Sequence, residues 1–336
     1  MKRFKAGVRP LGEYRSVMIV KPSSLGDIVH SLPAVEQLRA AMPQAVFRWV
    51  MNTEWMPLVE GSAVVDEVVA FPRRSFRGWF GWLKARRWQA AWGRTERQRP
   101  ELVIDFQGLL RSGWLSRTRR AEWVVGMSDA REGAGWFHDQ TVAVNRTGHA
   151  VDRYLAVVKA LGVPLAESVQ FPLAEGSAPL GWPGGNDLLV VHPYSRGEGK
   201  SLEGEALAAF LARLAPRRVV LVGVRAGPAP ELGPHVTDLT NRTSLPELIW
   251  CLREAAGVVS VDSGPMHIAA AVNARLVGIH AWTDPRKVGP YPAQAWVWKA
   301  GRVARRAELS EAECRNESRM DAAAAADLAN WVKAEF

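Results

Sequence analysis

Val17–Val20 is an apolar run long enough for one buried strand, and the loop and helix signals directly after it restrict the fold more than any other stretch. Pro22, Ser23, Ser24 and Gly26 are turn formers. From Ile28 the apolar residues recur at Leu32, Val35 and Leu38, a spacing that predicts a helix. Strand, tight loop and helix in that order is the opening of a parallel α/β domain, where ligands gather outside the carboxyl ends of the strands. Asp27 stands where the loop becomes helix. That position suits a helix cap and equally a chemically active carboxylate at a strand rim.

The alternation continues. Strands are expected at Ala45–Met51, Val64–Phe71, Glu101–Asp105 and Trp123–Gly126, and a helix at His149–Leu161. Residues 163–185 are rich in Pro, Gly, Ala and Ser and read as a boundary. The pattern then restarts with strands at Asp187–His192, Arg218–Gly223, Val236–Leu239, Gly257–Val261 and Leu276–His280. Helices are expected at Gly204–Leu214, Ser244–Ala256 and Asp321–Phe336. The fold class is therefore α/β, with two domains and mainly parallel sheets, and 336 residues suffice for both.

Charge separates the halves. Residues 1–160 hold 25 Lys and Arg against 15 Asp and Glu, whereas the remainder holds 18 against 19. The whole net charge of +9 thus comes from the first half, which implies an anionic partner there. The excess peaks in Arg73–Arg99, where nine basic residues, among them Arg73, Arg74, Arg77, Arg94 and Arg97, face the single acid Glu96. Trp79, Trp82, Trp88 and Trp92 are interleaved. A mostly helical, amphipathic segment is expected, either a solvated helix with its Trp residues packed inward or a surface for anions or membranes. The basic N-terminal stretch, residues 1–15, lacks the apolar core of a signal peptide and reads as a mobile arm. No apolar run approaches the length needed to span a bilayer. Cys251 and Cys314 lack metal-ligand spacing and fit a reducing cytoplasm.

The second domain carries a compact chemical motif in Val258–Ala271, VVSVDSGPMHIAAA. A buried strand runs into Asp262, Ser263 and Gly264, and a helix begins there. Its first N–H groups can bind phosphate, and His267 in the first turn can face the same anion. In the loop Pro193–Lys200, Ser195 can donate to a phosphate and Lys200 can neutralise one. No Walker motif and no dinucleotide fingerprint occur, which argues against an ATPase or a dehydrogenase.

Together KPSSLGDIVHSLPA, DLTNRTSLPEL and VSVDSGPMHIAAA, with WTDP and GPY downstream, resemble the ADP-heptose:lipopolysaccharide heptosyltransferases, glycosyltransferase family 9. The resemblance covers nearly the whole chain. It implies the GT-B architecture, two Rossmann-like domains facing across a cleft. Residues 1–172 would bind the acceptor and 173–320 the nucleotide sugar, with a C-terminal helix, 321–336, packing back on the first domain.

By the same resemblance Asp27 is the catalytic base of an inverting transfer that uses no metal and no cofactor. Ser195, Lys200, Asp262, Ser263, Gly264 and His267 line the donor site. Arg111 and Arg131 match basic positions of the acceptor side, where Ser24, Gly26, Arg73, Arg74 and Arg77 are also assigned. The partners implied are an ADP-sugar and a phosphorylated lipid A–inner core acceptor at the cytoplasmic membrane surface, where the chain would be peripheral; nucleic acid is not among them. The chain departs from the family where HPGA is replaced by His192–Ser195, HPYS, and where a glutamate about four residues beyond Gly223 is replaced by Gly227. Competing readings are a sugar-nucleotide epimerase on a similar fold, and a non-catalytic protein that binds anionic surfaces or nucleic acid through Arg73–Arg99.

Overall fold

The computed structural model describes residues 9–95, 99–118 and 120–336. Residues 1–8 of the basic arm, and Glu96 and Arg97 of the basic segment, lie outside the described residues. The chain divides into two compact units, Met1–Pro172 and Leu173–Phe336.

The first unit contains β1 (Ser16–Val20), α1 (Leu25–Ala41), β2 (Val46–Asn52), β3 (Glu67–Phe71), α2 (Gly81–Thr95), β4 (Leu102–Asp105), α3 (Leu110–Thr118), β5 (Trp123–Met127), β6 (Gln140–Val142) and α4 (Ala150–Ala160). Its six strands are all parallel, in the order β3-β2-β1-β4-β5-β6. A parallel sheet covered on both faces needs strands that are apolar throughout. Accordingly Val17, Met18, Ile19 and Val20 are all fully buried. The chain winds outward from β1 to β3, then returns to β4 beside β1 and winds the other way. Val20 is in register with Asp105, so the loops leaving β1 and β4 emerge side by side at the switch point.

The second unit contains β7 (Leu189–His192), α5 (Gly204–Leu214), β8 (Val219–Leu221), β9 (Val236–Asp238), α6 (Leu245–Glu254), β10 (Gly257–Val261), α7 (Gly264–Val272), β11 (Leu276–Ile279), α8 (Pro285–Val288), β12 (Trp296–Lys299), β13 (Arg302–Arg305), α9 (Glu311–Arg315) and α10 (Ala322–Glu335). The strand order is β13-β12-β11-β10-β7-β8-β9, parallel except for the hairpin β12–β13. That hairpin turns at Ala300 and Gly301, both at positive φ, as a two-residue hairpin turn requires. The switch point falls between β7 and β10, where Ser260 is in register with His192.

Two expectations change, and a third gains an internal boundary. Residues 9–15 are anchored rather than mobile: Tyr14 is buried and Arg9 pairs with Glu101 and Glu122. The basic segment is mostly helical, as expected, and falls into two pieces. A short turn, Arg73–Phe76, breaks at Gly78, whose φ of +91° suits glycine, before α2 begins. The C-terminal helix, expected to pack back on the first domain, is instead part of the second unit's core. Its Ala325, Leu328, Ala329 and Val332 join Phe210, Leu211 and Leu214 of α5 there. Apolar residues at this spacing form a stripe, and α5 offers the matching one.

Truncating that stripe tests the packing. Leu328→Ala should lower stability by about 2–5 kcal/mol in urea unfolding; a change under about 0.5 kcal/mol, the size of an ordinary surface substitution, would place α10 outside the core.

Candidate functional site

In the first unit the site grows from the loop after β1. Lys21 directly follows the strand and is 3% exposed. Ser24 takes the N-cap position of α1, so Asp27 is not the cap residue but the third residue of the helix. Its Oδ2 accepts hydrogen bonds from the Ser24 N–H at 3.1 Å and the Ser24 hydroxyl at 2.8 Å, and Lys21 Nζ lies 3.9 Å from the same oxygen. The Asp27 side chain remains 41% exposed, so the carboxylate is oriented and still reachable. Asp27 thus completes a capping box around Ser24 and presents a carboxylate at the strand rim.

Asp27 and Lys21 line a cavity of about 380 Å³ with Tyr154, Arg131, Arg146 and Arg153. Burial works against the Lys21 ammonium, but Tyr154, Asp27 and Asp105 outweigh it and raise its pKa above the ordinary lysine value. Burial and the Asp27 charge push Tyr154 up, so it stays a neutral phenol. Arg153 is held by Asp129 at 2.6 Å, and Arg146 donates to the Ser128 carbonyl at 2.9 Å. Two carboxylates line the cavity, Asp129 bound to Arg153 and the more accessible Asp27, against four cations, so positive charge is in surplus. That suits deprotonation of a hydroxyl on an anionic molecule.

The other basic residues assigned to the acceptor fall elsewhere. Arg73, Arg77 and Arg111 line a second cavity of about 300 Å³, with Trp82 and Trp114. Arg74 is largely exposed, 3.8 Å from Glu54. Gly26 is buried within α1 and Ser24 spends its N–H and hydroxyl on Asp27. Lys21, Tyr154, Arg146 and Arg153 carry no motif of their own. Only Lys21, a lysine closing a buried strand, offers a signal in the sequence.

In the second unit the donor-side residues gather at the ends of β7 and β10. Lys200 pairs with Asp262 at 2.6 Å and stands 4.4 Å from the centroid of Trp282. Burial would raise the Asp262 pKa, but His280, Lys200 and His267 overcome it and hold the carboxylate below its ordinary range. The Ser195 hydroxyl donates to the Asp262 carbonyl at 3.4 Å and accepts from the Gly197 N–H. Ser263 is the N-cap of α7, Gly264 its first residue, and His267 is buried in its first turn. These six residues thus share one strand-end region, with Lys200 anchored by Asp262.

Beneath them His192 is buried, its Nδ1 3.4 Å from Ser260 Oγ and 3.3 Å from Ser263 Oγ. A Cβ at Gly223 would come within 2.8 Å of that ring, which explains the glycine. Tyr194, the aromatic departure in HPYS, hydrogen-bonds Arg225, which also binds Asp238 at 3.2 Å. Gly227 lies in the loop after β8 at a φ of +101°. Among the described residues no three His, Cys, Asp or Glu side chains gather as a metal site.

Two doubly wound units, one with an accessible carboxylate and the other with a helix N-terminus and a lysine at its switch point, are the parts of a nucleotide-sugar transferase. Comparison with known proteins agrees. The family model of glycosyltransferase family 9 (heptosyltransferase) matches residues 90–318. Lipopolysaccharide heptosyltransferase 1 of Pseudomonas aeruginosa is 31% identical, over 82% of this chain and 81% of its own length. The Escherichia coli K12 protein of the same name is 28% identical, over 85% and 94%. Among solved structures, E. coli heptosyltransferase WaaC with ADP superposes with a TM-score of 0.74 at 24% identity, over 95% of this chain and 99% of that one. The fold is GT-B, and the chain belongs to glycosyltransferase family 9.

Two buried histidines give this unit an acid limit. Burial lowers His192 and His280 to about 4, below the ordinary 6.5. The unfolded chain takes up those protons first, so stability falls as pH drops from 6.5 towards 4. Each contributes roughly 2 kcal/mol of loss by about pH 5. Melting curves between about pH 7.5 and 4.5 should show the fall, and His280→Gln should blunt it; a flat profile down to about pH 5 would contradict the assignment.

Proposed function

We propose that this protein transfers a heptose from ADP-heptose to the core region of lipopolysaccharide, by a single displacement that inverts the anomeric carbon. The observation that carries the reading is the Asp27 carboxylate, locked by Ser24 and exposed in a cavity with Arg131, Arg146 and Arg153. Family membership supports the reaction class. The names of the heptosyltransferase relatives support heptose and lipopolysaccharide, and a WaaC structure with ADP-2-deoxy-2-fluoro heptose supports the donor.

Asp27 takes the proton as the acceptor oxygen attacks the anomeric carbon. Lys21 keeps a positive charge beneath the carboxylate, which favours its ionised form before the proton arrives. The departing diphosphate carries the negative charge. Lys200 and the N–H groups opening α7 are suited to stabilise it without a metal ion. Ser195, Ser263 and Gly264 leave room for close approach, and His267 stands in the same helical turn. Asp262 orients Lys200 and so belongs to the donor site through that contact. Arg131, Arg146 and Arg153 of the Asp27 cavity, with Arg73, Arg74, Arg77 and Arg111, recognise a phosphorylated or carboxylated acceptor. Because such an acceptor is built on lipid A, the enzyme works as a peripheral protein at the cytoplasmic face of the inner membrane, and nucleic acid is not its partner.

Lys200→Ala removes a charge-assisted contact typically worth about 1.5–3 kcal/mol, so ADP should bind roughly ten- to a hundredfold more weakly in calorimetry. Unchanged affinity would remove Lys200 from the donor site. With ADP-heptose in EDTA, the wild-type product should form at the normal rate and show an inverted anomeric centre by NMR; retention or a strict metal requirement would contradict the mechanism.

A further inference from the structure

The four tryptophans of the basic segment divide into two sets. Trp88 and Trp92 turn inward against Phe71 and Phe76. Trp79 and Trp82 turn outward, 89% and 58% exposed, with Phe80 at 63% between them. Leu83 is also exposed, and the next turn presents Lys84, Arg86 and Arg87 to solvent. The patch continues onto α3: Trp82 and Trp114 line the same cavity, and exposed Leu110 is one turn before Trp114. The Ala134–Phe137 turn packs on α3 at Gly113 and carries Trp136, 88% exposed. Contiguous exposed aromatic groups of this kind mark an interaction surface.

We infer that this face docks on an anionic phospholipid bilayer, with Trp79, Phe80 and Leu83 entering the interfacial layer and Lys84, Arg86 and Arg87 meeting the headgroups. The inference rests on the reading that the acceptor is carried by a membrane, and it names the contact. Charge complementarity selects the occupant. Exposed aromatic rings interleaved with Arg and Lys, with no acid between Arg73 and Thr95, fit the boundary between acyl chains and anionic headgroups. The inward packing of Trp88 and Trp92 fixes α2 to the sheet, so the leading turn inserts while the helix stays docked. Each basic side chain near such a surface contributes roughly fivefold to partitioning. Among the described residues no helix is long and apolar enough to cross a membrane, so attachment of this kind is interfacial.

Co-sedimentation of the full chain with vesicles tests it, using phosphatidylcholine alone and with about 30% phosphatidylglycerol, a fraction that sets a negative surface potential. The wild type should bind the anionic vesicles, and less so as salt rises. Trp79→Ser/Phe80→Ser/Leu83→Ser should bind at least roughly tenfold more weakly, and Lys84→Glu/Arg86→Glu/Arg87→Glu should lose the preference for anionic vesicles. Both variants should keep the wild-type melting temperature, ADP affinity and turnover of a delipidated core oligosaccharide, yet lose turnover of vesicle-embedded acceptor. Absence of wild-type vesicle binding, or undiminished binding by the apolar variant, would overturn the inference. So would a wild-type dimer that the apolar variant converts to monomer, or stronger binding to single-stranded DNA than to vesicles. If the wild type binds vesicles as described but never glycosylates the delipidated acceptor, the docking face stands and the transferase reading falls.

Discussion

A parallel sheet wound outward in both directions from its first strand leaves one place where two neighbouring loops diverge. Everything chemical in this protein is built at that place, once in each unit. In the first unit it lies between β1 and β4: Lys21 and Phe106 directly follow those strands, and Asp27 is in the first turn of α1, which follows β1. In the second it lies between β7 and β10: His192 ends β7, and Ser195, Lys200, Asp262 and Ser263 come from the loops that leave the two strands. The apolar runs that force each sheet to be buried on both faces thereby also decide where polar groups can collect.

The polar groups that collect there are fixed before any ligand arrives. Asp27 is held by two donors from Ser24, and Lys21 sits beneath it in a site too buried to tolerate a lone ammonium. An unpaired buried charge is costly, so the carboxylates Asp27 and Asp105, with a hydrogen bond to the neutral Tyr154 hydroxyl, keep Lys21 protonated. In the second unit Asp262 does the equivalent for Lys200, whose long side chain would otherwise lose rotamer entropy on meeting a diphosphate. Both units thus pair a buried or half-buried acid with a lysine. In the first the acid is the accessible member, and in the second the lysine is the less buried one. That difference matches a base on one side and an anion grip on the other.

Much of this was legible in the sequence. The helix Gly204–Leu214 and the strand Gly257–Val261 have the bounds that periodicity and flanking glycines indicate. Both strand-end motifs lie at switch points because such loops are where small and polar residues can succeed an apolar run. The strands β6, β12 and β13 were not legible: β6 has three residues, and the edge hairpin depends on a turn at Ala300 that propensity disfavours. Tyr154 and Arg153 could not be assigned either. They lie on α4, more than a hundred residues after Asp27, and only the topology brings them into its cavity. The Trp residues of the basic segment could not be sorted by spacing, because the turn at Gly78 sets where α2 begins and so which face each one takes. The place of the final helix was hidden for a similar reason: an Ala-rich stripe shows that a helix will pack, and not on which partner.

Asp27 either acts chemically or serves only to start a helix, and the mechanism depends on the first. Asparagine keeps the shape and can still accept from the Ser24 N–H, so Asp27→Asn removes the base and spares the cap. Turnover measured with ADP-heptose and the core acceptor should fall by roughly 10²–10⁴-fold, while ADP affinity stays at the wild-type value and the melting temperature drops only modestly, because buried Lys21 loses one of its charge partners. A variant that turns over at near the wild-type rate would contradict the role of Asp27 as base and leave it a structural residue.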